Sequence, residues 1–134
     1  MRAKNALVFL LSAGMLFFAG CGGPSTKPVA IYPEDMCAFC RMAFSDQRFA
    51  AEIISDQQEV YKFDDIGCME EFKKKSADLE ITAVYYKDFE TKEWIPSTTA
   101  VVMETDLSSP MGSGKVAFRD STKAIEFMRT RHPL

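Results

Sequence analysis

Residues 49–63 carry the period of a hairpin. Phe49-Ala50-Ala51-Glu52-Ile53-Ile54-Ser55 is short and apolar-rich, as a strand would be. Asp56-Gln57 supplies a turn, and Glu59-Val60-Tyr61-Lys62-Phe63 alternates as a second strand. The period then changes. Asp64-Asp65 is a natural N-cap pair, and it opens a helix predicted over 66–75. Ile66, Met69 and Phe72 recur at three-residue spacing and define its core face. Lys73, Lys74 and Lys75 fill the last turn, where the helix dipole favours cations.

A strand over 81–86 follows, with Ile81, Ala83 and Tyr85 alternating against Thr82, Val84 and Tyr86. Trp94-Ile95 and residues 99–103 read as further strands, with Pro96 restricted to an edge or a break. Residues 107–114 are rich in Ser, Pro and Gly and predict a loop. Val116-Ala117-Phe118 is a last strand, and Asp120 or Ser121 caps a closing helix to about residue 129 with Ala124, Ile125 and Met128 on its apolar face. The order predicts an α+β domain of two similar strand-strand-helix units.

The N-terminus has a different character. Arg2 and Lys4 precede an almost unbroken apolar run over 6–19, followed at once by Ala19-Gly20-Cys21. A spanning helix needs about 20 apolar residues, so this run reads as a secretory signal, with an uncleaved anchor helix and an incidental cysteine as the alternative. Small residues directly before a cysteine resemble a bacterial lipobox, although Phe18 stands where such signals usually carry Leu. That resemblance implies a signal peptide over 1–20 and lipidation (palmitate-type acylation) at Cys21. A tether over 21–29 and a folded domain over 30–134 would follow. The protein would then sit in the cell envelope, anchored to a bacterial membrane by its acyl chains and facing the periplasmic or extracellular side.

Without residues 1–20 the chain keeps 14 basic against 19 acidic residues. An acidic balance with no basic stripe argues against nucleic acid as a partner. Catalysis also finds no support. The one histidine, His132, is close to the end, and no glycine loop is built to cradle phosphate. The chain does not read as an enzyme.

Cysteine use is more telling. With Cys21 assigned to the anchor, Cys37, Cys40 and Cys68 remain, an odd number for a disulfide-stapled secreted fold. Met36-Cys37-Ala38-Phe39-Cys40-Arg41-Met42 puts two thiols and two thioethers within one short segment. Soft sulfur donors select soft ions, Cu(I) above all. Zinc is less natural, because a structural site wants four N or S ligands and no second Cys-x-x-Cys or His pair is present. Other readings stand beside the metal site: a plain Cys37–Cys40 disulfide, a thioredoxin-like redox pair, and Met36 and Met42 as core filler. Met111 lies in the glycine-flanked loop, either as a ligand or tucked over the core. Burial is the first reading for Cys68 and Met69.

These motifs resemble the NosL family, the lipoprotein accessory factors of nitrous oxide reductase. The residues that carry the resemblance run from Tyr32 to Met128. They are Asp35-Met36-Cys37-Ala38-Phe39-Cys40-Arg41-Met42, Phe63-Asp64-Asp65-Ile66-Gly67-Cys68-Met69, residues 81–85 with Trp94-Ile95, and Pro110-Met111-Gly112 with Phe118, together with Cys21. The resemblance implies a monomeric Cu(I) metallochaperone delivering copper towards nitrous oxide reductase through an ABC-type transporter complex or another copper-accepting protein. It assigns Cys40, Met42 and Met111 as ligands, with Cys37 next. Three positions depart from the family pattern. Arg41 stands where Gly is common, Cys68 stands where Gly or a polar residue is usual, which leaves open an extra ligand, and a family histidine ligand has no counterpart except His132. The rival functions are an interaction lipoprotein with a structural Cys37–Cys40 disulfide and a thiol-disulfide oxidoreductase.

Overall fold

The structure is a computed structural model that describes residues 25–131. The signal segment, Cys21 and His132 therefore lie outside the described residues. A single 3-10 turn, Gln47–Phe49, leads into β1 (Ala51–Ser55), β2 (Val60–Phe63), α1 (Ile66–Lys75), β3 (Ile81–Lys87) and β4 (Trp94–Pro96). The chain continues through β5 (Val101–Glu104), β6 (Lys115–Phe118) and α2 (Ser121–Arg131). The α+β class read from the periodicities holds. The order hairpin then helix occurs twice, as β1–β2–α1 and as β5–β6–α2, while β3 and β4 extend the first sheet to the antiparallel order β2-β1-β3-β4.

Side-chain alternation along β1 divides that sheet into two faces. Ala51 and Ile53, with Phe63 across the ladder, face α1 and pack against Ile66, Cys68 and Met69. Glu52 points to the other face, over which residues 26–30 lie. There the Glu52 carboxylate accepts from the Val29 N–H, and the indole Nε1 of Trp94 donates to the Val29 carbonyl at 2.8 Å. Tyr85 Oη donates to the Thr26 carbonyl and Lys62 Nζ to that of Ala30. Pro96 closes an edge strand, where its missing N–H leaves no ladder bond unmade.

The second unit has its own aromatic core. Phe49, Phe89, Val116 and Phe118 are buried there with Ala124, and Phe127 packs against them. The N–H of Phe89 donates to the Ala117 carbonyl at 2.8 Å and fastens the two sheets together. One expectation is corrected here. Ile125 and Met128 are exposed, and the inward face of α2 is Ala124 with Phe127, three residues apart. The ring of Phe127 reaches Phe89 and Phe118, with centroids 5.4 and 5.1 Å away, which rotates the helix off the stripe read from sequence.

Candidate metal centre

The Cys-x-x-Cys segment forms a tight loop before the first sheet begins. Met36 and Ala43 form an antiparallel bridge, the Cys37 N–H donates to the Met42 carbonyl at 2.9 Å, and the Arg41 N–H returns to the Cys37 carbonyl at 3.0 Å. Closing so short a loop forces Arg41 to a φ of 64°, in the left-handed region. Glycine enters that region without a Cβ penalty. Arg41 thus makes a turn that glycine would make without that penalty. The Ala38 N–H donates to the Lys62 carbonyl at 2.8 Å and fixes the loop to β2. The two cysteines stand on this turn, not at the start of a helix as in a thioredoxin-like pair.

Two further elements bring donors to the same point. Asp64 follows β2 directly and is buried, and Cys68, also buried, sits in the first turn of α1. One ligand atom each from Cys37, Cys40, Asp64 and Cys68 all lie within 4.8 Å of one another. All three cysteines are free thiols. Metal–sulfur bonds of about 2.3 Å in a tetrahedron set sulfur atoms about 3.8 Å apart, so an ion would need only a small closure of this set.

The electrostatics suit a protonated resting pocket. Burial pushes the Cys37 thiol up to about 11, with Asp64 adding to the rise and backbone donors opposing it. Cys68 is also raised, by burial first and then by the neighbouring Cys37 and Asp64. The amino-terminal end of a helix ordinarily lowers a thiol, but here burial outweighs it.

The methionines are placed differently. Met36 and Met42 are both 55% exposed, and Met42 closes the loop through its backbone carbonyl. Met111 is 46% exposed and lines a cleft of about 530 Å³ together with Cys68, Phe39, Gly112 and Ser113. Its N–H donates to Asp65 Oδ2 at 2.9 Å. The structure therefore joins Cys37 and Cys40, adds Cys68 and Asp64, and sets Met111 at the mouth of a cleft that reaches Cys68. Asp64 is the member that sequence reasoning missed. The usable signal was the acidic doublet, since a helix needs one N-cap and Asp65 serves as it, accepting from the Gly67 N–H at 2.7 Å.

Comparison with known proteins bears on the fold and the family. A crystal structure of the copper chaperone NosL from Shewanella denitrificans matches with a TM-score of 0.69 at 17% identity, covering 80% of this chain and 89% of that one. At that identity the likeness establishes the fold. No match was found among curated proteins. The family model for NosL matches residues 28–132, which takes in every element of the fold and all four clustered donors, and the chain belongs to the NosL family.

Proposed function

We propose that this protein is a Cu(I) carrier of the cell envelope whose cargo is held by Cys37, Cys40 and Cys68. The observation that carries the reading is the convergence of three free thiols from two separate segments on one buried point. Thiolates without imidazole select Cu(I) over harder ions. The solved relative is named as a copper chaperone, which supports the same cargo. Asp64 accepts from the Cys40 thiol at 3.5 Å, which holds that sulfur in the cluster. Exposed Met42 and Met111 suit hand-over, because weak thioether donors at the rim let a partner's sulfur enter before the thiolates let go.

The acceptor in this reading is a copper enzyme under assembly, such as nitrous oxide reductase, reached through a membrane transporter complex. Acylation at Cys21 would confine the search to the membrane surface and raise the effective concentration of the carrier near that complex. The role is delivery rather than catalysis.

The donor count supports a second reading. Cys37, Cys40, Cys68 and Asp64 make up the four N, S or O ligands that a closed zinc site requires. The sequence argument against zinc rested on the lack of a second Cys-x-x-Cys or His pair; the structure supplies a third sulfur, Cys68, and a carboxylate oxygen, Asp64. Titration of the reduced protein with Cu(I) against a chromophoric chelator, repeated with Zn(II), decides between them. Tight one-to-one Cu(I) binding that displaces Zn(II) establishes the copper carrier. Retention of Zn(II) under excess Cu(I) establishes a structural zinc centre, and failure to compete for either ion removes both readings.

A further inference from the structure

We propose that Asp65 is a positioning residue for metal capture, latching the 108–114 loop to the first turn of α1 so that Met111 is held in the cleft that reaches Cys68. The proposal rests on the carrier reading above and deepens it by naming what holds the outer ligand.

Asp65 does more than cap a helix. Its fully buried carboxylate accepts from the Gly67 N–H, which is the cap, and from three further donors: Ser109 Oγ at 2.6 Å, the Met111 N–H at 2.9 Å, and Ser113 Oγ. Those three belong to one loop 44 to 48 residues away in the chain. A cap that needed satisfying would take one bond; four donors on one carboxylate make a fastening.

The loop is shaped to deliver them. Gly112 and Gly114 adopt φ values of 78° and 65°, and the Gly112 N–H closes a turn on the Ser109 carbonyl. The Gly114 N–H donates to Ser109 Oγ at 2.9 Å while that hydroxyl donates to Asp65, so Ser109 relays between the loop's far end and the carboxylate. Helix and loop also touch closely. A Cβ at Gly67 would fall 2.7 Å from the Ser113 Cβ, so only glycine admits the loop at that point.

What the latch holds is a backbone, and what it leaves free is a thioether. Met111 is bonded to Asp65 through its N–H, yet the residue stays about half exposed on the wall of the cleft. Packing alone gives no reason to fix this backbone so firmly and leave the side chain outside. Asp65 is extended, with φ −142° and ψ 136°. Consecutive side chains on extended backbone point to opposite sides, so the Asp64 carboxylate meets the cysteines while the Asp65 carboxylate meets the loop. One acidic doublet thus serves the inner donors and the outer one.

The test is a double-mutant cycle on Cu(I) affinity, measured by chelator competition on the reduced full chain carrying Asp65→Asn, Met111→Leu, or both. Asn keeps an acceptor for the Gly67 N–H but weakens the hold on the loop. Asp65→Asn is expected to weaken Cu(I) binding roughly fivefold to tenfold in the parent and hardly at all in the Met111→Leu background, the signature of coupled residues. Equal losses in both backgrounds, or no loss in either, would overturn the latch while leaving the carrier reading intact. A parent chain that does not compete for Cu(I) would remove the carrier reading and the latch with it. Loss of stability alone cannot imitate the coupling, because it would appear in both backgrounds. Should Asp65→Asn fail to fold, Ser113→Ala removes one latch donor without touching the cap, and its effect must likewise vanish with Met111→Leu.

Discussion

The Cys40 thiol donates to Asp64 Oδ1 at 3.5 Å, and this contact joins the Cys-x-x-Cys loop to the segment that leads from β2 into α1. Because Cys68 lies four residues past Asp64, the contact also brings the third thiol to the first two. Three elements thereby share one pocket, and each can be tested separately.

Cys68 is the thiol outside the motif, so it carries the sharpest prediction. Cys68→Ser keeps the shape of the side chain and removes a soft donor from a buried set. Cu(I) affinity is expected to fall by at least about tenfold, equivalent to about 1.4 kcal/mol. The sulfur coordination number at copper, read by X-ray absorption, should drop by one. An unchanged coordination number would place Cys68 in the core and return the site to the two motif cysteines.

The pocket's proton chemistry sets a pH dependence. Burial holds Cys37 at about 11 and raises Cys68 as well, so both thiols keep their protons through the neutral range until a metal displaces them. Protons compete with the ion, hence metal affinity should rise with pH. Each thiol deprotonated on binding adds about one logarithmic unit of affinity per pH unit below its own pKa. Competition titrations at pH 6, 7 and 8 measure the slope, and a flat profile would exclude thiolate ligation by this pair.

Arg41 offers a stability test. Its φ of 64° costs a side-chain-bearing residue roughly 1–2 kcal/mol, against which glycine's greater unfolded-state entropy sets about 0.5–1 kcal/mol. Arg41→Gly should therefore stabilise the protein by up to about 1.5 kcal/mol, seen as a higher denaturant midpoint at unchanged slope. Arg41→Ala keeps the strained backbone and should give no such gain. Equal gains from both would point to the removed charge instead.

Sequence and structure agree best where several signals coincide. In α1 the Asp65 cap, the spacing of Ile66, Met69 and Phe72, and the terminal lysines all name one helix, and its bounds are those read from the pattern. α2 carried a weaker stripe, and long-range contacts of Phe127 with Phe89 and Phe118 decided its orientation. The metal pocket was half legible. Cys37 and Cys40 are neighbours in sequence, so their spacing shows. Asp64 and Cys68 join them only because β2 ends beside the loop, a tertiary fact with no local period. The methionines of the motif are not core filler, since Met36 and Met42 are both exposed. Across the Met36–Ala43 bridge successive residues point to opposite sides, so Met36 is exposed where Cys37 is buried.

Glu52 supplies a prediction remote from the metal. It is a carboxylic acid buried in β1 beneath residues 26–30, with both oxygens 3.2 Å from the Val29 N–H. Burial pushes its carboxyl up to about 7; the Val29 N–H, Lys62 and Lys87 pull it back and Asp35 adds to the rise. The sign follows from where the proton is held more tightly. Between the unfolded value of 4.5 and the folded value of about 7, the folded chain binds a proton that the unfolded chain has lost. This group therefore makes stability fall as pH rises across that window, by on the order of 3 kcal/mol, and level off above it. Glu52→Gln keeps a carbonyl oxygen for the Val29 N–H and carries no charge to desolvate. The variant should match the parent near pH 4.5 and exceed it at pH 8, because it alone escapes the loss between them. Asp35, Asp46 and Asp65, whose carboxyls are held below their ordinary value, act in the opposite sense at lower pH and are common to both proteins. The difference between the two urea-unfolding profiles thus isolates Glu52, and a difference that stays constant from pH 4.5 to 8 would mean that its proton state does not change on folding.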